Sequence, residues 1–323
     1  LSYKSPLYGR KTAHIRVAPI GFKHFDEFFP LNDIKKNIEF YSVLDGIPFY
    51  LEKFSDKKTT LENIRGEVWS KKGKLYEEVD FLLREELREP DVYKTILDAI
   101  ASGKTKVVDI ANKSKIMVQD IDKYLKVLIR LGIIKKEIPI TETKSKKSIY
   151  FIDDNLFNFC FLFFEPYKSD LEIGEAGNAE NNFKINFSSY MGRKFEKFVK
   201  KEILAKTNIF SFEKIGGWWG HTRALSPESG VLERKALEID IVALNEKTKE
   251  ILFGECKWKD KVDAEKTARE LVEKAGHVEW QGKGQRKEHF AIFVKSFKNK
   301  ISEFEGKKVY CFDLKDMEKI LRR

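Results

Sequence analysis

Apolar positions change their period along this chain, and the changes divide it. Residues 35–44 and 75–87 repeat at helical spacing, the second through Leu75, Val79, Leu82, Leu83 and Leu87. A shorter helix closes at Pro30, residues 13–18 alternate like a strand, and 46–51 reads as a break between helices. Three helical stretches follow. Asp91 caps 92–102, whose stripe is Ile96, Leu97 and Ile100 and whose end is Gly103. Residues 107–112 form a short second helix. The third, 118–131, puts Ile121, Leu125, Leu128 and Ile129 on one face and stops at Gly132. Residues 133–140 and 148–152 read as strands around a polar turn, and the apolar run from Asn155 to Phe164 as a buried helix.

Beyond it the pattern weakens, then sharpens. Residues 165–187 are polar, rich in Gly and Asn, and contain Pro166, which predicts a linker. Ser188 and Ser189 are the expected caps of a helix through Leu204, with Met191, Phe195, Phe198, Val199 and Ile203 inward and Glu196 at their border. A strand over 210–219 ends in Gly216-Gly-Trp-Trp219. Residues 237–244 and 251–258 alternate with period two around a short turn, as a hairpin does. A helix over 264–275, strands at 289–294 and 308–312, and a helix over 316–321 complete the reading.

Composition narrows the class. The 323 residues carry a formal charge of +10, with 35% charged and 42% hydrophobic residues, enough for two or three soluble domains. No apolar run approaches the roughly 18 residues of a membrane span, and no leader-like apolar segment opens the chain. Cys160, Cys256 and Cys311 stand far apart in apolar runs, as buried free thiols do, so a cytoplasmic setting is expected. The basic balance (pI about 9.1) suits a nucleic acid but equally a Lys-rich solubilising surface. The start at Leu1, in what reads as mid-domain, leads to the expectation of a piece of a longer protein.

Candidate chemistry concentrates in the hairpin. Strict alternation puts Asp240 on one face with Glu238 and Val242, and Glu255 and Lys257 together above Ile251 and Phe253. Burying such groups costs several kcal/mol unless they pair or hold a metal. The Ser102-Gly-Lys-Thr105 run is no phosphate loop, because Asp98 stands where its first Gly belongs and a helix precedes it.

Asp240 followed by Glu255-Cys256-Lys257 resembles the core of the PD-(D/E)XK, or restriction-endonuclease-like, nucleases, with Ile239 where a Pro often stands. The resemblance implies Mg²⁺ or Mn²⁺ on Asp240, Glu255 and the Cys256 carbonyl, Lys257 assisting water or the transition state, and Glu196 ligating either directly or through water. The Pro-Leu-Tyr-Gly-Arg10 segment, 46–51 and Gly216-Gly-Trp-Trp219 resemble the C-terminal part of archaeal AAA-type ATPases, in which Arg10 is either a nucleotide contact or a surface residue. Three helices and a two-stranded hairpin resemble a winged helix-turn-helix, and residues 91–150 hold 13 Lys and Arg against 7 Asp and Glu. DNA contact is then expected from Gln119, Lys123 and Lys126 on its third helix and from Lys144, Lys146 and Lys147 in the wing. Lys259, Lys261, Lys283, Arg286 and Lys287 are candidates for a phosphate-binding rim.

The expected fold is therefore a multidomain α/β protein. It divides into a helical ATPase-lid remnant (1–90), a winged helix-turn-helix (91–165), a linker (166–187), and an α-β-β-β-α-β restriction-endonuclease-like domain with a mixed sheet (188–323). The expected activity is Mg²⁺-dependent DNA hydrolysis without ATP hydrolysis by this chain. The alternative is a non-catalytic module that docks DNA or protein for the ATPase. DNA and the missing ATPase half are the expected partners, and oligomeric state stays open.

Overall fold

Capping chemistry starts the N-terminal helices where the chain needs them. The computed structural model describes residues 17–143, 147–225, 232–281 and 285–322. Arg10, the turn before it and most of the strand expected at 13–18 lie outside these. Helices α1 (Phe25–Phe28), α2 (Ile34–Leu44), α3 (Pro48–Leu51), α4 (Thr60–Glu67) and α5 (Glu78–Glu86) come first. Asp33 caps α2 by accepting from the Lys36 amide, and Thr59 with Glu62 forms a capping box on α4. The expected break at 46–51 contains a helical turn, because Pro48 sits in its first turn, where no N–H is needed. The short α4 has no long apolar stripe and gave no periodic signal.

The next unit keeps the expected order, although Asp91 lies inside the first turn of its helix instead of capping it and the first strand stops at Glu137. Helices α6 (Pro90–Ala101), α7 (Val107–Ser114) and α8 (Val118–Leu131) precede an antiparallel pair, β1 (Ile134–Glu137) with β2 (Ile149–Ile152). Gly132 closes α8 in the left-handed region at φ 78°. Helix α9 (Asn155–Phe163) is buried as expected, and Asn155 donates to the Tyr41 carbonyl of α2 at 2.8 Å.

The polar stretch read as a linker is instead α10 (Lys168–Glu172) and the first half of α11 (Gly177–Phe198). Ala179, Phe183 and Tyr190 supply its buried stripe, and Phe183 stacks on Phe187 at 4.2 Å. The Asn-rich opposite face hid this pattern, and Ser188 and Ser189 lie mid-helix rather than at a cap. A π-helical turn, Val199–Ile203, continues α11.

Strands β3 (Lys214–Leu225), β4 (Leu232–Asn245) and β5 (Glu250–Lys257) then form an antiparallel meander. After β6 (Val262–Asp263), helix α12 (Ala264–Ala275) crosses to β7 (Lys287–Val294), parallel to β5. Then come β8 (Phe297–Asn299), β9 (Glu303–Phe304), β10 (Lys307–Phe312, parallel to β7) and α13 (Leu314–Leu321). The six-stranded mixed sheet has the order β3-β4-β5-β7-β10-β9. One face packs Val242, Phe253, Phe290 and Ile292 against Ala268 and Leu271 of α12. The other packs Ile241, Leu252, Ala291 and Phe293 in a cluster that runs through α11 and α13 to Tyr41 of α2 and Ile96 of α6. The core thus crosses the boundaries expected near 90 and 165.

Phe198 is a joint of that core. It is fully buried, 4.7 Å from the Phe22 ring and 6.1 Å from Tyr41. Phe198→Ala is expected to cost about 3–5 kcal/mol, read from urea unfolding; a loss under about 1 kcal/mol would contradict a core shared by both halves of the chain.

Candidate active site at the bulged end of the sheet

The site begins with an irregularity in β4. Gly216 pairs with Val242 and Trp218 with Ile239, so Gly217 alone stands opposite Asp240 and Ile241. This is a β-bulge, a device that re-aims a side chain. Ile239 and Val242, three residues apart, both lie in the cluster against α12, while Ile241 lies in the opposite one. The alternation expected to group Asp240 with Glu238 and Val242 is therefore broken at Asp240.

On β5 the alternation holds. Ile251 and Phe253 pack toward α12, and beyond them Glu255 and Lys257 each meet that helix. Lys274 donates to Glu255 Oε2 at 2.9 Å, and Lys257 donates to Glu270 Oε2 at 3.3 Å. Glu270 and Lys274 lie one turn apart, so a helix edge of alternating charge meets a strand edge of alternating charge. Sequence reading missed both residues. Their signal was the i, i+4 pair flanking the Ala268–Leu271–Ala275 stripe.

Asp240 Oδ2 accepts the Cys256 N–H at 2.8 Å. Burial, and then the charge of Glu255, raise the Asp240 carboxyl above the ordinary range, while the Cys256 amide and Lys274 pull it partway back. Glu196 of α11 is raised likewise, by burial and then by Asp240, against Lys200 and Arg193 one turn to either side. The Cys256 side chain points into the α11-side core, where burial pushes its thiol up. Asp240 and Glu196 thus share one electrostatic environment with Glu255, and burial outweighs the lysines and arginine around the two raised carboxyls.

Asp240 and Glu255 are hard oxygen donors of the kind Mg²⁺ accepts alongside several waters, and the raised Asp240 carboxyl marks charge that a cation would relieve. Among the described residues no three His, Cys, Asp or Glu side chains form a metal-holding group. Glu196, expected to ligate directly or through water, stands as an electrostatic neighbour of Asp240.

Gln119, Lys123 and Lys126 lie exposed along one face of α8, where Lys123 pairs with Asp120 at 3.7 Å and Lys126 with Asp122 at 2.6 Å. Lys147 pairs with Glu142 at 2.6 Å; Lys144, Lys146 and Lys283 lie outside the described residues. Lys259 and Lys261 follow β5 directly and are exposed. Arg286 leaves the expected rim, since its guanidinium is buried and donates to the carbonyls of Val278 and Ala275 and to Glu288. Lys287 leaves it too. It pairs with Glu250 at the opposite end of β5, roughly 23 Å from Lys257 at about 3.3 Å per residue.

Fold and site define a mixed α/β protein with a helical N-terminal half and a carboxylate–lysine cluster at the end of its main sheet. The chain belongs to the DUF234 family, described as archaeal and bacterial proteins of unknown function, which it matches over residues 160–269. That span holds Glu196, Asp240, Glu255 and Lys257 and stops one residue before Glu270. An uncharacterized protein of Methanocaldococcus jannaschii is 39% identical over 324 residues, covering 98% of this chain and 68% of that protein.

A carboxyl with a raised folded pKa keeps a proton that the unfolded chain has already lost, so it lowers stability as pH rises from about 4 through the raised value. In EDTA-treated protein, Asp240→Asn is therefore expected to gain stability over the native chain between pH 4 and 8, read from urea midpoints. Parallel pH profiles for the two proteins would contradict the crowding of Asp240.

Proposed function

We propose that this chain hydrolyses DNA phosphodiester bonds with Mg²⁺ or Mn²⁺ held by Asp240 and Glu255. The observation that carries the reading is the convergence of Asp240, Glu255 and Lys257 at one end of the β4–β5 pair, in the order α11-β3-β4-β5-α12-β7 with the two-residue β6, which lies outside the main sheet, set aside. That order is the one expected of a restriction-endonuclease-like core. Held there, the cation would supply Lewis acidity, acidifying water and withdrawing charge from the scissile phosphate. Lys257, oriented by Glu270, donates to a phosphate oxygen as negative charge develops. Lys274 holds Glu255 in place. Water adds to phosphorus, the ester P–O bond breaks, and the departing sugar oxygen takes a proton.

In this reading α6–α8 with β1–β2 is a winged helix-turn-helix that contacts DNA through Gln119, Lys123, Lys126 and Lys147, and the chain is the C-terminal part of an archaeal AAA-type ATPase. The exposed lysines of α8 support this, and their Asp partners make the contact weak and salt-sensitive.

A second reading, a non-catalytic docking module, is favoured by one observation: α12 already engages both Glu255 and Lys257. Supercoiled plasmid with Mg²⁺ or Mn²⁺ separates the two. Hydrolysis predicts nicking that Asp240→Ala and Lys257→Ala each reduce at least about a hundredfold. DNA binding without nicking, unchanged in both variants, would establish the docking module instead. For the helical unit, Lys123→Ala with Lys126→Ala is expected to lower the slope of log affinity against log salt by about 1 for each phosphate these lysines neutralise, measured by fluorescence anisotropy. An unchanged slope would remove α8 from the interface.

A further inference from the structure

The Gly216-Gly-Trp-Trp219 segment has no part in the chemistry above, yet it receives the loop between β1 and β2. The Ile140 N–H donates to the Gly217 carbonyl at 3.0 Å, and the Trp219 indole N–H donates to the Lys147 carbonyl at 2.9 Å. The two bonds grip the loop before and after its tip. Ile140 also packs into the cluster shared by Trp218, Ile239 and Val242. A Cβ on Gly216 would stand 3.1 Å from Ile140 Cδ1, so the seat is shaped for that side chain. Strand β3 is an edge strand, whose outward carbonyls are open to such additions.

Position makes the contact more than a domain junction. Gly217, the acceptor, is the residue opposite the Asp240–Ile241 bulge. Ile140 packs against the cluster that holds Ile239 and Val242, which bracket that bulge on the α12 side. Docking therefore braces the backbone that aims Asp240 at the Cys256 amide.

We infer that the β1–β2 loop is a positioning strap for Asp240: docked on Gly216–Trp219, it holds the bulge in register and the Asp240 carboxylate beside Glu255. A ligand that engages the hairpin then acts on Asp240 through this seat. The inference rests on the proposed hydrolytic reading only in giving Asp240 a chemical role.

The Cys256 amide reports Asp240 directly, because Asp240 Oδ2 accepts its proton. Hydrogen exchange of single amides, followed by NMR in the full chain without metal or DNA, tests the strap. Ile140→Ala removes packing, and Trp219→Phe keeps a ring while removing the indole donor. Both are expected to speed exchange at Ile140 and Cys256 by about tenfold or more, leaving Leu252 and Phe253 of β5 and the urea midpoint nearly unchanged. Asp240→Ala sets the upper limit at Cys256. Faster exchange at Ile140 with none at Cys256 would overturn the strap, as would no change at either. Plasmid nicking plays no part in this readout: a chain that never cleaves DNA can still carry the strap, and an unresponsive Cys256 amide sinks the strap with any nuclease activity intact.

Discussion

Like charges held together at the end of a buried sheet are the constraint on which the C-terminal half depends. Burial and the charge of Glu255 raise the Asp240 carboxyl, and burial and the charge of Asp240 raise Glu196 on α11. The fold answers with a backbone amide from Cys256 and an ammonium from Lys274, while Lys257 is held by Glu270. A purely structural cluster would gain from one carboxylate fewer. The arrangement keeps all three and makes a β-bulge beside one of them, and under the proposed function it would receive a cation and a phosphate.

Helix α11 ties this site to the rest of the chain. One turn holds Glu196 beside Asp240, and the next residue reaches the other way. Lys197 donates to Asp45 Oδ2 and the Asp153 carbonyl, both at 2.7 Å, and to Asn155 Oδ1 at 3.1 Å. Asp45 is the C-cap of α2, at φ 52° where a non-glycine residue is strained, and this lysine helps hold it there. Lys194, buried on the same helix, is pushed down to about 7 by loss of solvent and then by Lys197. Helices α2, α9 and α11 and the sheet thereby share one packed core.

Much of the fold was legible because its signals are local. The α8 stripe ended where Gly132 adopts the left-handed region, α12 ran from 264 to 275 as its apolar spacing implied, and β5 kept its alternation through Lys257. The failures have one cause. At 166–187 the buried stripe of α11 is carried by Ala179 and Phe183 amid asparagines, and its helicity comes from packing on α9 rather than from propensity. At Asp240 the two-residue period was right for the strand and wrong at one point, because a bulge depends on the partner strand.

The sequence by itself determined most element types and their order, and the candidate residues for metal or phosphate, since each follows from side-chain chemistry and nearest-neighbour spacing. Tertiary structure alone decided which of those residues meet. It turned Arg286 inward, carried Lys287 to the far end of the sheet, brought Glu270 and Lys274 onto the motif, and seated the β1–β2 loop against Gly217. These are contacts between segments distant in the chain, whose geometry is set by strand register and helix placement, and no periodicity within one segment encodes the register of another.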